Sequence, residues 1–448
     1  MNDSSYKLKK KREHNRFQKY TIRIFLITLM VIGLLGLMIP LRPRESAIEK
    51  RTLTKFPKPT VKTVMNGEFT DQISTWYADS FPFREEFMAL NSKFERLYGM
   101  SAEEIHGGTV VSDEIPVDGK MESTLSKDDK KSSKKSKTDD EDEGRNDKAE
   151  LHVEPEQAGT VYIADDRAFE LYGFDAQGAT NYSAMLNEVA KELKGTSTVY
   201  DILAPTSIAV MLDDEMQKKV GSSSQEEAFQ YIEDNLDKKV KFVPVLDTLK
   251  KHNSEYLYFK TDHHWTADAA YYAYKQLMKE KGEKASPLKD YTKEEFTGFL
   301  GSFYSSSNQS EVLANNPDTV TAYVPEVNEL TYTDYNGQEQ QGEVVADANA
   351  YSQENKYLCF IAGDEPFEKI ENPNIKDDSS CVVIKESYAN AFVPFLVNSY
   401  HDVYVVDYRY YGGGLTDFVK ENKIQDVIFL NNAHAINTKA VNLMYSIW

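Results

Sequence analysis

The sequence predicts an α/β protein: a three-layer α/β/α sandwich around a mostly parallel sheet, preceded by a transmembrane helix. Two observations carry that expectation. Short runs that are apolar at nearly every position, "CVVIKES", "DVYVVDYRYY" and "DVIFLNN", alternate with amphipathic helical segments toward the C-terminus. Such runs mark strands buried on both faces, as in a parallel sheet covered by helices on either side. Near the other end, the uncharged apolar stretch from Ile24 to Leu41 is long enough to cross a bilayer.

Taken in order, residues 1–23 form a basic tail. Lys7, Lys9, Lys10, Lys11, Arg12, Arg16 and Lys19 all precede the apolar stretch. The positive-inside rule therefore keeps that end in the cytosol and sends everything after about residue 42 outward. No small-residue cleavage site follows residues 24–41, so the run reads as a lasting single-pass anchor in the cell membrane. Residues 42–111 read as an extended stalk and then a helical hairpin packing on the main domain. Phe69, Ile73, Trp76 and Tyr77 share one helix face, Pro82 breaks the pattern, and Phe87, Leu90, Phe94 and Leu97 share the next. Residues 112–157 include "SKDDKKSSKKSKTDDEDEGRNDK", with no aromatic, Leu, Ile or Val. Such a stretch cannot bury enough apolar surface to offset its ordering entropy, which predicts a disordered charged loop. The α/β domain then occupies residues 158–448.

The formal charge of −20 argues against nucleic acid as a partner, since binding it needs basic surface to displace counterions. Cys359 and Cys381 both sit in strand-like apolar runs, as two buried thiols or as one disulfide between neighbouring strands. No metal-ligand spacing and no cofactor fingerprint is evident. In sheets of this kind ligands gather beyond the carboxyl ends of the strands. That rule points at Glu386-Ser387, at Arg409, Tyr411 and Gly412, and at Asn431-Asn432.

The densest chemistry lies in "TDHHW". With this stretch extended, Asp262 and His264 point the same way, while His263 and Trp265 face the packing side. Asp262 then accepts the Nδ1–H of His264, fixing its tautomer and leaving Nε2 as a base. Thr266 is the natural N-cap of the following helix. Ser387, at a strand-to-helix junction, supplies a hydroxyl nucleophile. Asn431 or Asn432 could donate to an oxyanion beside the Ser387 N–H, with Gly412 allowing close backbone approach.

"TDHHW" with the downstream "VVIKESYANAF" resembles the DHHW family, itself similar to the SGNH-hydrolase-like domains of bacterial alginate O-acetyltransferases. "IEKRTLTKFP", "GEFTDQISTWYADSFPFRE", "YDILAPTS", "VYVVDYRYY" and "DVIFLNN" extend the likeness over most of the chain outside the anchor and the charged loop. The resemblance implies an SGNH-like fold with circularly permuted motif order and a triad of Ser387, His264 and Asp262. It also implies acetyl transfer to a polysaccharide, with the acetyl group delivered by a multi-pass membrane O-acyltransferase. One departure stands out: the nucleophile is preceded by Glu386, where the family usually has Asp. A carbohydrate O-acetyl esterase uses the same machinery with water as acceptor. The other readings are a non-catalytic polysaccharide-binding scaffold of an export machinery and a metal-dependent phosphoesterase built on Asp-His-His.

Overall fold

The computed structural model describes residues 159–448 throughout and, before them, residues 20, 23, 45–46, 51–52, 54–59, 63, 68–82, 103–107, 110–116 and 121–125. The chain divides into two units, residues 1–99 and 100–448. In the first, the expected amphipathic helix spans Glu68–Asp79, and its Trp76 ring meets Phe56 edge-on at 4.8 Å. The anchor at 24–41 and the second helix of the hairpin lie outside the described residues. Among the described residues no helix is long and apolar enough to cross a membrane.

The second unit begins earlier than composition predicts. Glu103–His106 pairs antiparallel with Val161–Ala164, which pairs with Arg167–Glu170. The stretch expected to be disordered from residue 112 also departs from that expectation at its start. Asp113 accepts from the N–H of Ala176, its own N–H donates to the Phe174 carbonyl, and Ser112 bonds Ser223. Further on, Ser123 and Thr124 both donate to the Asn181 side chain. These short polar residues tie the backbone down through hydrogen bonds, a route that a hydropathy argument does not register, and Ile115 and Leu125 pack against the main core.

Eight strands form the main sheet: β1 (Thr198–Ala204), β2 (Val240–Phe242), β3 (Glu329–Thr333), β4 (Glu339–Glu343), β5 (Phe367–Glu371), β6 (Ser380–Lys385), β7 (Asp402–Asp407) and β8 (Asp426–Asn432). Their order is β4-β3-β5-β7-β6-β8-β1-β2. The run β7-β6-β8-β1-β2 is parallel, as expected, and its central members β6 and β8 are buried at every position. The other three strands join antiparallel, so the sheet is mixed. β3 and β4 are a hairpin turning at Asn336-Gly337, with Gly337 at φ 74°, a pairing that favours tight reversal. Their sequences, ELTYT and EQQGE, are too polar to register as buried strands.

Helices α1 (Ala176–Glu192), α2 (Gln225–Asp234), α3 (Ala267–Lys281), α4 (Leu415–Glu421) and α5 (Thr438–Ser446) flank the sheet. Tyr182 of α1 donates to Asp201 of β1. Lys281 of α3 pairs with Asp426 of β8, whose register partner is Thr198. Thr198 and Asp201 are an odd number of residues apart and so face opposite ways. α1 and α3 therefore cover opposite faces, which gives the three layers. Cys359 and Cys381 are both buried free thiols.

Candidate active site

β6 is central and buried along its whole length. It ends at Lys385, and Glu386 caps the short 3-10 turn Ser387–Ala391 by accepting the N–H of Tyr388 at 3.0 Å. A buried strand running straight into a tight turn pushes the Ser387 hydroxyl out at the carboxyl edge of the sheet. There Ser387 Oγ lies 2.8 Å from His264 Nε2, and His264 Nδ1 lies 2.6 Å from Asp262 Oδ1. The three sequence-predicted residues thus form one unbroken chain of hydrogen bonds, all buried.

The local backbone reaches this arrangement by a different route from the extended one expected. Residues 260–264 bend tightly, and the bend is closed by a bridge between Tyr258 and Trp265. Asp262 and His264 meet because Asp262 Oδ1 accepts both the N–H and Nδ1 of His264. Two side chains therefore depart from their expected places. His263 does not turn away: its ring sits 3.8 Å from that of His264. Thr266 holds the N-cap position of α3, but its hydroxyl donates to the Tyr256 carbonyl and makes no capping bond. Trp265 packs as expected, fully buried, with Nε1 donating to the Tyr388 carbonyl. In return Tyr388 donates its hydroxyl to the His263 carbonyl, which stitches the His264 segment to the Ser387 turn.

Several supporting residues carry no signal in the sequence. The Ser302 N–H donates to Asp262 Oδ2 at 2.7 Å, while Ser302 Oγ bonds His263 Nδ1 at 2.7 Å. Gly301 is required beside them, because a Cβ there would collide with the Asp262 carboxylate. Tyr357 stacks on the His264 ring at 3.9 Å, nearly parallel at 14°. Rings at such distances cannot crowd onto one face, so His264 is held between Tyr357 and His263. Asp318 accepts from the backbone N–H groups of Lys260 and Thr261 and anchors the bend from below. Burial works to push the Asp262 carboxyl up. The neighbouring His264 and His263 imidazoles and the hydrogen bonds from His264 and Ser302 outweigh it and hold the group well below the ordinary carboxylate range.

Asp262, His263 and His264 also offer three potential metal-donor atoms within 4.8 Å of one another. Both nitrogens of His264 are engaged with Asp262 and Ser387, and His263 Nδ1 with Ser302. Ligating an ion through His264 would break its bond to Asp262 or to Ser387.

The family model described as "DHHW protein" matches residues 49–148 and 139–406 of this sequence. The chain belongs to the DHHW family. A crystal structure of a DHHW family protein from Eubacterium siraeum is similar at 30% identity, with TM-score 0.58, covering 64% of this chain and 95% of that one. The structure of Bacillus cereus PatB1 with a sulfonyl adduct is similar at 22% identity, with TM-score 0.54, covering 63% of this chain and 97% of that one, a likeness of fold. No curated protein sequence matches the chain.

Beyond its namesake motif, this DHHW chain uses the other strand-end residues differently from expectation. Arg409, read as a substrate contact, turns inward: its guanidinium bonds Asp407 at 2.6 and 2.9 Å and reaches Asp364 at 3.1 Å. Asp407 and Asp364 are buried beside the wholly buried Lys385, and leaving any of these charges unpaired is costly. Tyr411 packs against Phe367. Gly412 meets nothing within 4 Å of where a Cβ would stand, so no close approach requires glycine there. Asn431 is fully buried, among the interior groups beside Tyr182. Asn432 is the one tied to the Ser387 turn, through Glu386. Its N–H donates to Glu386 Oε1 at 2.9 Å, and its side-chain carbonyl accepts from His434 and Ala435. Glu386, the departure from the usual Asp, thereby links the ends of β6 and β8, a span its longer side chain can bridge while still capping the turn.

Proposed function

We propose that this chain is a serine-dependent acyl-transfer enzyme that moves an acetyl group to a hydroxyl of a cell-surface or secreted polysaccharide. The observation that carries the reading is the continuous relay from Ser387 Oγ through His264 to Asp262, at 2.8 and 2.6 Å. Ser387 Oγ attacks the acetyl carbonyl as His264 Nε2 takes its proton, and Asp262 stabilises the imidazolium. The imidazolium returns that proton to the departing group, leaving acetyl-Ser387. The acceptor hydroxyl then gives its proton to Nε2 and attacks the acyl carbon, and the proton passes back to Ser387 as the new ester leaves.

The oxyanion is assigned to Asn432. Its side-chain oxygen is committed to the 433–435 turn, which leaves Nδ2 as the donor. DHHW family membership and the resemblance to alginate O-acetyltransferase domains favour acetyl as the group and a polysaccharide as acceptor. In this reading residues 24–41 anchor the enzyme with the α/β domain outside the cell, and a multi-pass membrane O-acyltransferase supplies the acetyl group.

The test is turnover of 4-nitrophenyl acetate by the full chain in detergent, with and without oligosaccharide acceptors, read by absorbance and by the mass of the sugar product. Ser387→Ala and His264→Ala should each lose about 10³-fold or more. Parent-like rates in both variants overturn the triad. Acetate formed without acetylated sugar, across acceptors, moves the assignment to an esterase.

A further inference from the structure

The segment before β5 contains an unusual run of backbone. Ile361, Ala362 and Gly363 lie consecutively in the left-handed region, at φ 45°, 55° and 93°. A β-branched residue there is an outlier, because its side chain crowds the backbone. Such conformations persist only where the surroundings over-determine them, and they gather at functional sites. Here the surroundings are visible: Ile361 is fully buried and its N–H donates to the Val344 carbonyl at 2.8 Å.

The run delivers Asp364. Its carboxylate accepts from Lys385 Nζ at 2.8 Å, from Asn390 Nδ2 at 3.0 Å and from Arg409 at 3.1 Å. These donors bracket the nucleophile. Lys385 is two residues before Ser387 on the entering strand, Asn390 is three after it in the turn, and Arg409 follows the neighbouring strand β7. The same stretch of chain carries Tyr357, whose ring stacks on His264 and whose hydroxyl donates to the Ser387 carbonyl at 3.1 Å. One segment, residues 357–364, therefore touches the base through Tyr357 and both flanks of the nucleophile through Asp364.

We infer that Asp364 is a positioning residue that fixes the Ser387 turn against His264, and that the left-handed run 361–363 is the device that brings it there. This assignment rests on Ser387 being the nucleophile. Asp364 touches no reacting atom. It acts by holding both sides of a turn whose hydroxyl must stay in hydrogen-bond reach of His264 Nε2, and displacements of about 1 Å at such a point cost on the order of a hundredfold in rate.

The full chain is treated with phenylmethylsulfonyl fluoride to titrate reactive Ser387 by mass, and kcat and KM for 4-nitrophenyl acetate are measured per titrated site. Counting per site removes any loss due to misfolded protein, which a purely structural role would produce. Asp364→Asn keeps the shape of the side chain and removes its charge. We expect kcat to fall about tenfold or more with KM within about twofold. Asn390→Ala leaves the ion pairs intact and should lower kcat about threefold by the same signature, so it carries the test should Asp364→Asn not fold. Parent-like kcat per site in a folded variant overturns the positioning role while leaving the nucleophile in place. A parent that turns over ester but is not sulfonylated on Ser387 overturns the nucleophile and this role with it.

Discussion

Two turns stand side by side at the carboxyl edge of the sheet, after β6 and after β7, whose last residues Lys385 and Asp407 are register partners. Both fall where the strand-end rule places ligand contacts. After β6, Ser387 points to a histidine brought from a segment more than a hundred positions away. After β7, Arg409 folds back on Asp407, two residues before it, and on Asp364. The difference teaches what a strand end decides. It fixes where chemistry can be presented, but a cation beside buried carboxylates pairs inward, because leaving them unpaired costs several kcal/mol. Ser387 carries no charge to pair: its hydroxyl lies 3.3 Å from the neighbouring Glu386 carboxylate but closer, at 2.8 Å, to His264.

The sharpest way to break the comparison is at the first turn's partner. Asp262→Asn should lower kcat for acetyl esters by about 10³-fold or more while leaving the fold intact, since it leaves His264 without its tautomer-fixing acceptor. Steady-state kinetics beside a melting curve check this. Gly301→Ala drives a methyl into the Asp262 carboxylate, so kcat should drop about a hundredfold through misplacement alone. At the second turn the effect should be on stability. Arg409→Gln should cost about 3 kcal/mol in urea unfolding, because it strands buried carboxylates.

The smallest effect concerns a buried carboxylate away from both turns. Burial pushes Asp201 up to about 7, against the opposing hydrogen bond from Tyr182. Its folded value lies above the ordinary 3.8. The folded state therefore keeps a proton the unfolded chain has lost, and stability falls as pH rises from about 4 to about 7. Asp201→Asn should remove that slope and stabilise the protein at pH 8 by about 1–2 kcal/mol, with little change near pH 4. Thermal melts across that range check the sign.

Much of this was legible in the chain. Central strands such as CVVIK and DVIFLNN are written as continuous apolar runs, because burial on both faces demands it at every position. The pairing of Asp262 with His264 was legible from their spacing, though the bend that joins them is not extended, so His263 fell on the wrong side. The antiparallel strands β3 and β4 were not legible, since strands at the margin of a sheet that are only partly buried carry no such apolar mark. Ser302, Tyr357 and Asp364 left no trace either. Each works through directed contacts to residues far away in the chain, and no periodicity or composition encodes a contact between distant segments.

The sequence by itself determined the layered α/β class, the dyad in the DHHW motif and the serine at the end of a buried strand. Those follow from short-range rules of burial, spacing and strand ends, which act on neighbours in the chain. Only the tertiary structure decided that Ser387 meets His264, that Asn432 rather than Asn431 is tied to the Ser387 turn, and that Arg409 pairs with the buried Asp407 and Asp364. Those outcomes depend on which distant charges and hydrogen-bond partners folding brings within about 3 Å, a quantity that linear order does not contain.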